Sequence, residues 1–223
     1  MKVLEEIREM ILTPSVSLSE ILRKTFVFAY KTKNEKIKKW IENELNGYSL
    51  DIIEIPYYRI IHPDCYGTII NLVQKIENFP IPFCNIPENL KHHYNVFIFR
   101  EAINVFEEHI KSDSFSFNML WPPDYIAVYN SSVKMDLGYS LVQAWWLVPK
   151  TSFGELLERV RNTLLKFILE LEEEYPSLTE ENYNIVSKEK VEQTFINCIF
   201  NNGLIIGNGN EFSGETNIES QGD

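Results

Sequence analysis

The first 47 residues repeat a helical spacing of apolar positions three times. Val3, Ile7, Met10 and Ile11 recur on one helix face, and Thr13-Pro14 closes that run. A second run starts at Ser17 with Glu20 three residues on, the pattern of a capping box. Leu18, Ile21, Leu22, Thr25, Phe26 and Ala29 form its apolar stripe. The third run, from about Asn34 to Leu45, turns Ile37, Trp40, Ile41 and Leu45 to one side and puts Lys36, Lys38 and Lys39 among solvated positions. Asn46-Gly47 ends it, because both residues tolerate left-handed backbone. Trp40, on the apolar stripe, is expected to be buried where this helix meets a sheet.

The pattern then becomes β-like. Residues 52–61 (IIEIPYYRII) and 66–76 (YGTIINLVQKI) are rich in β-branched and aromatic side chains and read as strands, with Pro56 marking an edge or a bulge. A Pro-punctuated connection, NFPIPFCNIPENL, follows. Residues 92–99 read as a strand or as the lead-in to a helix spanning about 99–111. FSFNML is a short strand, and WPPDYIAVYNSS opens a short helix with proline at its start. In YSLVQAWWLVP, strict alternation puts Leu141, Gln143, Trp145 and Leu147 on one face and Val142, Ala144, Trp146 and Val148 on the other. A long helix over 151–174 buries Leu156, Leu157, Val160, Leu164, Phe167, Ile168 and Leu171, and Pro176 stops it. Helical runs set apart from a run of strands predict an α+β fold with a small, mainly antiparallel sheet. The chain divides into that domain (1–176), a polar linker or short helix (177–194), and a tail of another kind (195–223).

The tail reads FINCIFNNGLIIGNGNEFSGETNI over 195–218, with apolar pairs and triplets separated by Asn and Gly. This spacing suggests short β-arcs with Asn and Gly at the corners. One such arc leaves its edges unpaired, and stacked copies of the chain would cover them. Phe195, Ile199, Phe200, Leu204, Ile205, Ile206 and Phe212 would carry that homo-oligomeric contact. A flexible polar tail, or a strand added to the domain's own sheet, is the competing reading; the Leu204-Ile205-Ile206 triplet speaks against the first of these. The segment resembles the Asn/Gly-rich β-arc motifs of prion-like signalling amyloids in immunity proteins.

Composition narrows the function. A formal net charge of -11 over 223 residues lacks the excess of Lys and Arg that draws proteins to phosphate backbones, so nucleic acid is not an expected partner. No stretch approaches the length of apolar sequence that spans a bilayer, and the acidic N-terminus is unlike a signal peptide, which predicts a cytoplasmic protein. The three cysteines, Cys65, Cys84 and Cys198, form no disulfide framework. His62 and Cys65 have the spacing of half a zinc site, but no second pair follows, and no metal or cofactor is expected. Cys84 with His92 or His93 is the loosest form of a cysteine–histidine nucleophile. Glu44, Arg59, His92, Arg100 and Glu101 are the polar candidates for a catalytic site, with Glu107 and Asp124 nearby. Arg100-Glu101 also fits a helix-start ion pair, and Glu107 with Lys111 a helix-surface pair.

Several of these segments together resemble the AbiTii family. They are Leu22-Arg23-Lys24, Ala29, Asn34, the string from Trp40 to Tyr48 (WIENELNGY), Pro56-Tyr57-Tyr58-Arg59, Pro80-Ile81-Pro82, Arg100-Glu101 with Glu107, Trp121-Pro122-Pro123-Asp124, and Ala144-Trp145 with the helix that follows. The match covers roughly residues 1–175. It implies abortive infection and phage defence, and it implies no reaction or catalytic residue. On that basis the expectation is a sensor, adaptor or effector that clusters through its tail, with a second defence protein as a further partner. The rival is a toxin-like hydrolase or nuclease using the Glu/Arg/His set.

Overall fold

The computed structural model describes residues 3–83, 86–179 and 182–199. It is an α+β structure. Helices α1 (Val3–Leu12), α2 (Leu18–Lys31) and α3 (Glu35–Asn46) come first. Then follow β1 (Ile60–Ile61), β2 (Asp64–Ile70), β3 (Lys75–Pro80), α4 (Glu88–Tyr94), β4 (Phe97–Ile98), α5 (Ile103–His109) and β5 (Ser116–Leu120). The last elements are α6 (Pro123–Ser132), β6 (Ser140–Pro149), α7 (Lys150–Glu174) and α8 (Lys188–Ile199). Strands β3-β2-β6-β5 form an antiparallel sheet in that order, and β1 pairs with β4.

The N-terminal helices start and stop where their polar residues dictate. Ser17 Oγ accepts from the Glu20 amide and the Glu20 carboxylate accepts from the Ser17 amide, the reciprocal capping box that satisfies two free helix-end donors. Asn34 Oδ1 accepts from the Ile37 amide at 3.2 Å and caps α3. The same end of α2 receives a second carboxylate. Glu107 accepts from the Leu18 amide at 2.6 Å and from Ser19 Oγ at 2.5 Å. It therefore neutralises the positive end of the α2 dipole, and the expected pairing with Lys111 is taken instead by Glu108.

Helix α7 is the spine. Phe153, Leu156, Leu157, Val160, Leu164, Phe167, Ile168 and Leu171 are buried along it, and it packs against α1, α5 and α8. Arg161 ties it to the end of α1, donating to the Ile11 and Val16 carbonyls.

The strand expectations shift in three places. Residues 52–61 give one 3-10 turn, Tyr57–Arg59, and only the two-residue β1, because Arg59 is drawn into the interior. Residues 66–76 are not one strand but a hairpin: Asn71 Oδ1 accepts from the Val73 and Gln74 amides at 2.9 Å each and turns the chain into β3. In β6, the pairing with β2 skips Val142, so a bulge changes the parity of the strand. Leu141 is consequently buried with Ala144, Trp146 and Val148 rather than sharing a face with exposed Gln143.

The largest difference is at the C-terminal end. Phe195 and Ile199, expected in β-arcs, lie on α8, where Val191, Phe195, Cys198 and Ile199 are buried. Their spacing is helical, and α3 and α7 supply an apolar surface that rewards it. The Phe195 ring meets Trp40 edge-on at 5.4 Å and Phe167 at 5.7 Å. Phe200, Leu204, Ile205, Ile206 and Phe212 lie outside the described residues.

This packing predicts that Phe195→Ala lowers stability by about 3–5 kcal/mol in urea unfolding, the usual cost of emptying a buried aromatic site. An unchanged midpoint would mean that α8 is not part of the cooperative core.

Candidate functional site

Two family-like strings, the one ending α3 and the one before β1, meet in the interior. Glu44 and Arg59 are both fully buried. Arg59 Nη2 donates to Glu44 Oε2 at 2.6 Å, and Arg59 Nε donates to Glu44 Oε1 at 3.1 Å. The pair is thus bidentate, the arrangement that best suits a planar guanidinium against a carboxylate. Glu44 Oε1 also accepts from Tyr48 Oη at 2.7 Å and Tyr58 Oη at 2.9 Å. Tyr58 Oη in turn accepts from Trp40 Nε1 at 2.7 Å. Arg59 Nη1 donates to the Phe99 and Glu101 carbonyls, each at 2.8 Å.

The spacing of α3 explains the convergence. Trp40, Glu44 and Tyr48 are four residues apart, so they stack along one side of the helix and its continuation. Gly47 makes the exit possible: its φ of 92° is left-handed, and a Cβ there would sit 2.8 Å from the Arg100 carbonyl. The Tyr48 amide donates to that same carbonyl at 2.7 Å. Arg59 lies over the Tyr48 ring at 4.5 Å, a cation–π contact.

The electrostatics make this a sealed unit. Burial, followed by the Glu44 charge, raises the Tyr48 and Tyr58 phenols well above their ordinary value, so both remain neutral donors. Burial works against the Arg59 charge, but Glu44 outweighs it and its pKa lies above the ordinary value. Both side chains of the pair are shut off from solvent. A small open cleft of about 230 Å³ lies beside the network, lined in part by Lys39, Trp40, Tyr48, Ile52 and Pro56. Glu44 and Arg59 do not line it, and it is smaller than the pockets that usually enclose small ligands.

The other candidates do not join them. His92 is exposed on α4. Arg100 donates to the Ser49 carbonyl at 2.8 Å, and the Glu101 and Asp124 side chains are exposed. His62 is exposed, with Nδ1 at 2.9 Å from the Asn95 carbonyl. Cys65 is buried against the Tyr94 carbonyl, and burial pushes its thiol up to about 12, as it does for Cys198. Such thiols are poorly ionised near neutral pH and weak as nucleophiles. Cys84 lies outside the described residues. Among the described residues, no group of three His, Cys, Asp or Glu side chains is arranged to hold a metal ion.

What the sequence did not reveal is that Tyr48 and Tyr58 share Glu44 as acceptor. Trp40 is buried as expected, but it meets Tyr58 and Phe195. Tyr48 and Tyr58 were visible as motif residues, and their hydroxyls gave no sign in sequence of a shared acceptor.

Fold and site together define an α+β protein in which the most distinctive sequence strings build a buried polar clamp rather than an open cleft. The chain belongs to the AbiTii family, whose model matches residues 2–197. The family name ties it to abortive infection, a defence against phage. No curated protein and no solved structure matches the chain. Among the described residues, no helix is long and apolar enough to cross a membrane.

Glu44→Gln should leave the Arg59 charge buried without its counterion and cost about 3–5 kcal/mol in chemical denaturation. Glu101→Gln, at an exposed position, should leave the midpoint unchanged. Equal midpoints for the two variants would show that the pair is not a structural clamp.

Proposed function

We propose that this chain acts in phage defence by binding and clustering, as a sensor, adaptor or effector, and not by catalysis at its Glu/Arg/His residues. One observation carries the reading. The acid and base that meet, Glu44 and Arg59, are fully buried and neutralise each other, while His92, Arg100 and Glu101 lie apart at or near the surface. A catalytic pair has to reach substrate in a cleft. Glu44 and Arg59 are instead sealed in the interior.

The clustering device is the segment after α8. Leu204-Ile205-Ile206 and Phe212, set among Asn and Gly, have the composition of stacking β-arcs, and identical copies in register would pair the edges that one copy leaves open. The chain assembles with itself through this segment, and the compact domain then carries the contact with a phage component or with a second defence protein. The domain keeps α8, so a truncation that tests the tail has to fall beyond Ile199. A cut near 190 would strip Val191, Phe195, Cys198 and Ile199 from the core.

The test has two readouts on the same variants. In light scattering, the wild-type chain should give a mass above that of the monomer, and Ile205→Lys should lower it, because a charge repeated in each layer at about 4.8 Å repels its copies. In cells challenged with phage, Ile205→Lys should lose protection, whereas His92→Ala, Arg100→Ala and Glu101→Ala should keep it. Loss of protection in any of those three, at unchanged abundance and mass, would favour a toxin-like enzyme of the hydrolase or nuclease class. A monomeric wild type would remove the tail from the mechanism.

A further inference from the structure

Helix α8 brings the chain to the cleft beside the clamp. It runs parallel to α3 and in step with it. Asn34 Nδ2 donates to the Lys188 carbonyl at 3.4 Å, Lys36 pairs with Glu192 at 2.7 Å, and the Trp40 ring meets Phe195 at 5.4 Å. One turn beyond that last contact, Ile199 closes α8 at about the level of Glu44 on α3. Lys36 and Trp40 also line the cleft of about 230 Å³, so the cleft and α8 meet on one side of α3.

The cleft has an apolar lining and a cation beside it. Trp40, Tyr48 and Ile52 line it, and Lys39 stands with them, exposed and in no ion pair among the described residues. Glu54 is the acid in the lining. The loop that carries Ile52 is fixed, since Arg100 donates to the Ser49 carbonyl at 2.8 Å, and it leaves Leu50 and Ile53 exposed at 87% and 58%. The volume is small for a free ligand and suits side chains delivered by a polypeptide.

The sequence that follows α8 has the matching chemistry. Residues 200–206 read FNNGLII. Asn and Gly accept the left-handed backbone that reverses a chain after a helix, and the Leu204-Ile205-Ile206 triplet comes next. The stretch from Ile199 to Leu204 reaches at most about 17 Å, whereas the α3 edge of the cleft, Lys36 to Asn43, is about 10 Å long. Residues 200–223 hold Glu211, Glu215, Glu219 and Asp223 and no Lys or Arg, opposite in sign to Lys36 and Lys39.

We propose that Leu204-Ile205-Ile206 of the same chain turns back after α8 and seats in the cleft between Trp40 and Ile52, with the acidic residues behind it drawn to Lys39. The short tether presents this segment at high effective concentration, so a second copy has to compete with it. The same triplet is the apolar centre of the stacking arc, and it cannot lie in the cleft and in a stack at once. The cleft therefore restrains the tail and sets the concentration at which copies assemble. That restraint rests on the clustering role of the tail; the seating itself does not.

Hydrogen exchange read by mass spectrometry tests the seating on the full chain, at a concentration where light scattering gives the monomer mass. Residues 48–56 should exchange slowly in the wild type and about tenfold faster when Leu204→Ser, Ile205→Ser and Ile206→Ser are combined, with α7 unchanged. Lys39→Glu, at an exposed position, should also speed exchange there while leaving the urea midpoint unchanged. Equal exchange of 48–56 in the wild type and the triple variant overturns the seating. So does protection that grows with protein concentration, which would put a second copy's segment in the cleft. For the restraint, Lys39→Glu should lower the concentration at which the chain assembles by about tenfold. A threshold that does not move overturns the restraint, and a wild type with no monomer at any dilution overturns both. A wild type that stays monomeric throughout removes clustering and the restraint with it, and the exchange result still judges the seating.

Discussion

A carboxylate and a guanidinium cannot be taken out of water without strong compensation, and this requirement organises the helical half of the protein. Desolvating each ion costs several kcal/mol, and the loss is offset only if geometry and hydrogen bonding are nearly complete. Here Glu44 receives Arg59 twice and two phenols besides, and Arg59 spends its remaining nitrogen on two carbonyls. The donors and acceptors come from α3, from the turn before β1, and from the connection between β4 and α5. No two of these segments can shift relative to the third without leaving a buried charge short of a partner. The ion pair thus acts less as a source of net stability than as a constraint on which arrangement is allowed.

The surrounding packing extends from that constraint. Trp40 is fixed by its bond to Tyr58, Phe195 rests on Trp40, and α8 is thereby seated between α3 and α7. Glu107 reaches from α5 to the start of α2, which couples the same layer at its other end. On the sheet side, Trp146 donates to the Tyr94 carbonyl at 2.7 Å and lies near Trp121 and Phe97, so α4 is held against β6 by aromatic contact. The interior is closed at both layers. Among the described residues, the β2–β3 turn at the sheet's far end stays outside this packing, with Leu72 and Val73 exposed.

That distribution bears on how an AbiTii protein works in phage defence. Its distinctive residues go into rigidity. Among the described residues, large apolar side chains are nevertheless left exposed, Leu50, Leu72, Val73, Phe115 and Leu137 the most fully.

Helices α1, α2, α3 and α7 were legible in the sequence because their determinants are local: apolar spacing, a Ser–Glu capping box, a glycine at a helix exit; α4 was not, since Glu88–Tyr94 lies in a stretch read as a connection and a strand. The α+β class, the long α7 and the β6 strand follow from the same kind of signal. The polar candidates Glu44 and Arg59 stood out as motif residues too, but nothing local says that they face each other, since they are fifteen positions apart and separated by a turn. The β2–β3 hairpin was hidden because Asn71 acts through its side chain, and the parity of β6 was hidden because the bulge at Val142 exists only against its partner strand. Residues 195–199 were ambiguous: their apolar spacing fits a helix or an arc, and the surface offered by α3 and α7 chose the helix. The sequence alone determined the long helical apolar faces of α1, α2, α3 and α7 and the local signals that start and stop the first three of them. Only the tertiary structure decided which charges are buried together and which apolar groups are left outside, because desolvation depends on the neighbours a residue meets and not on the residues beside it in the chain.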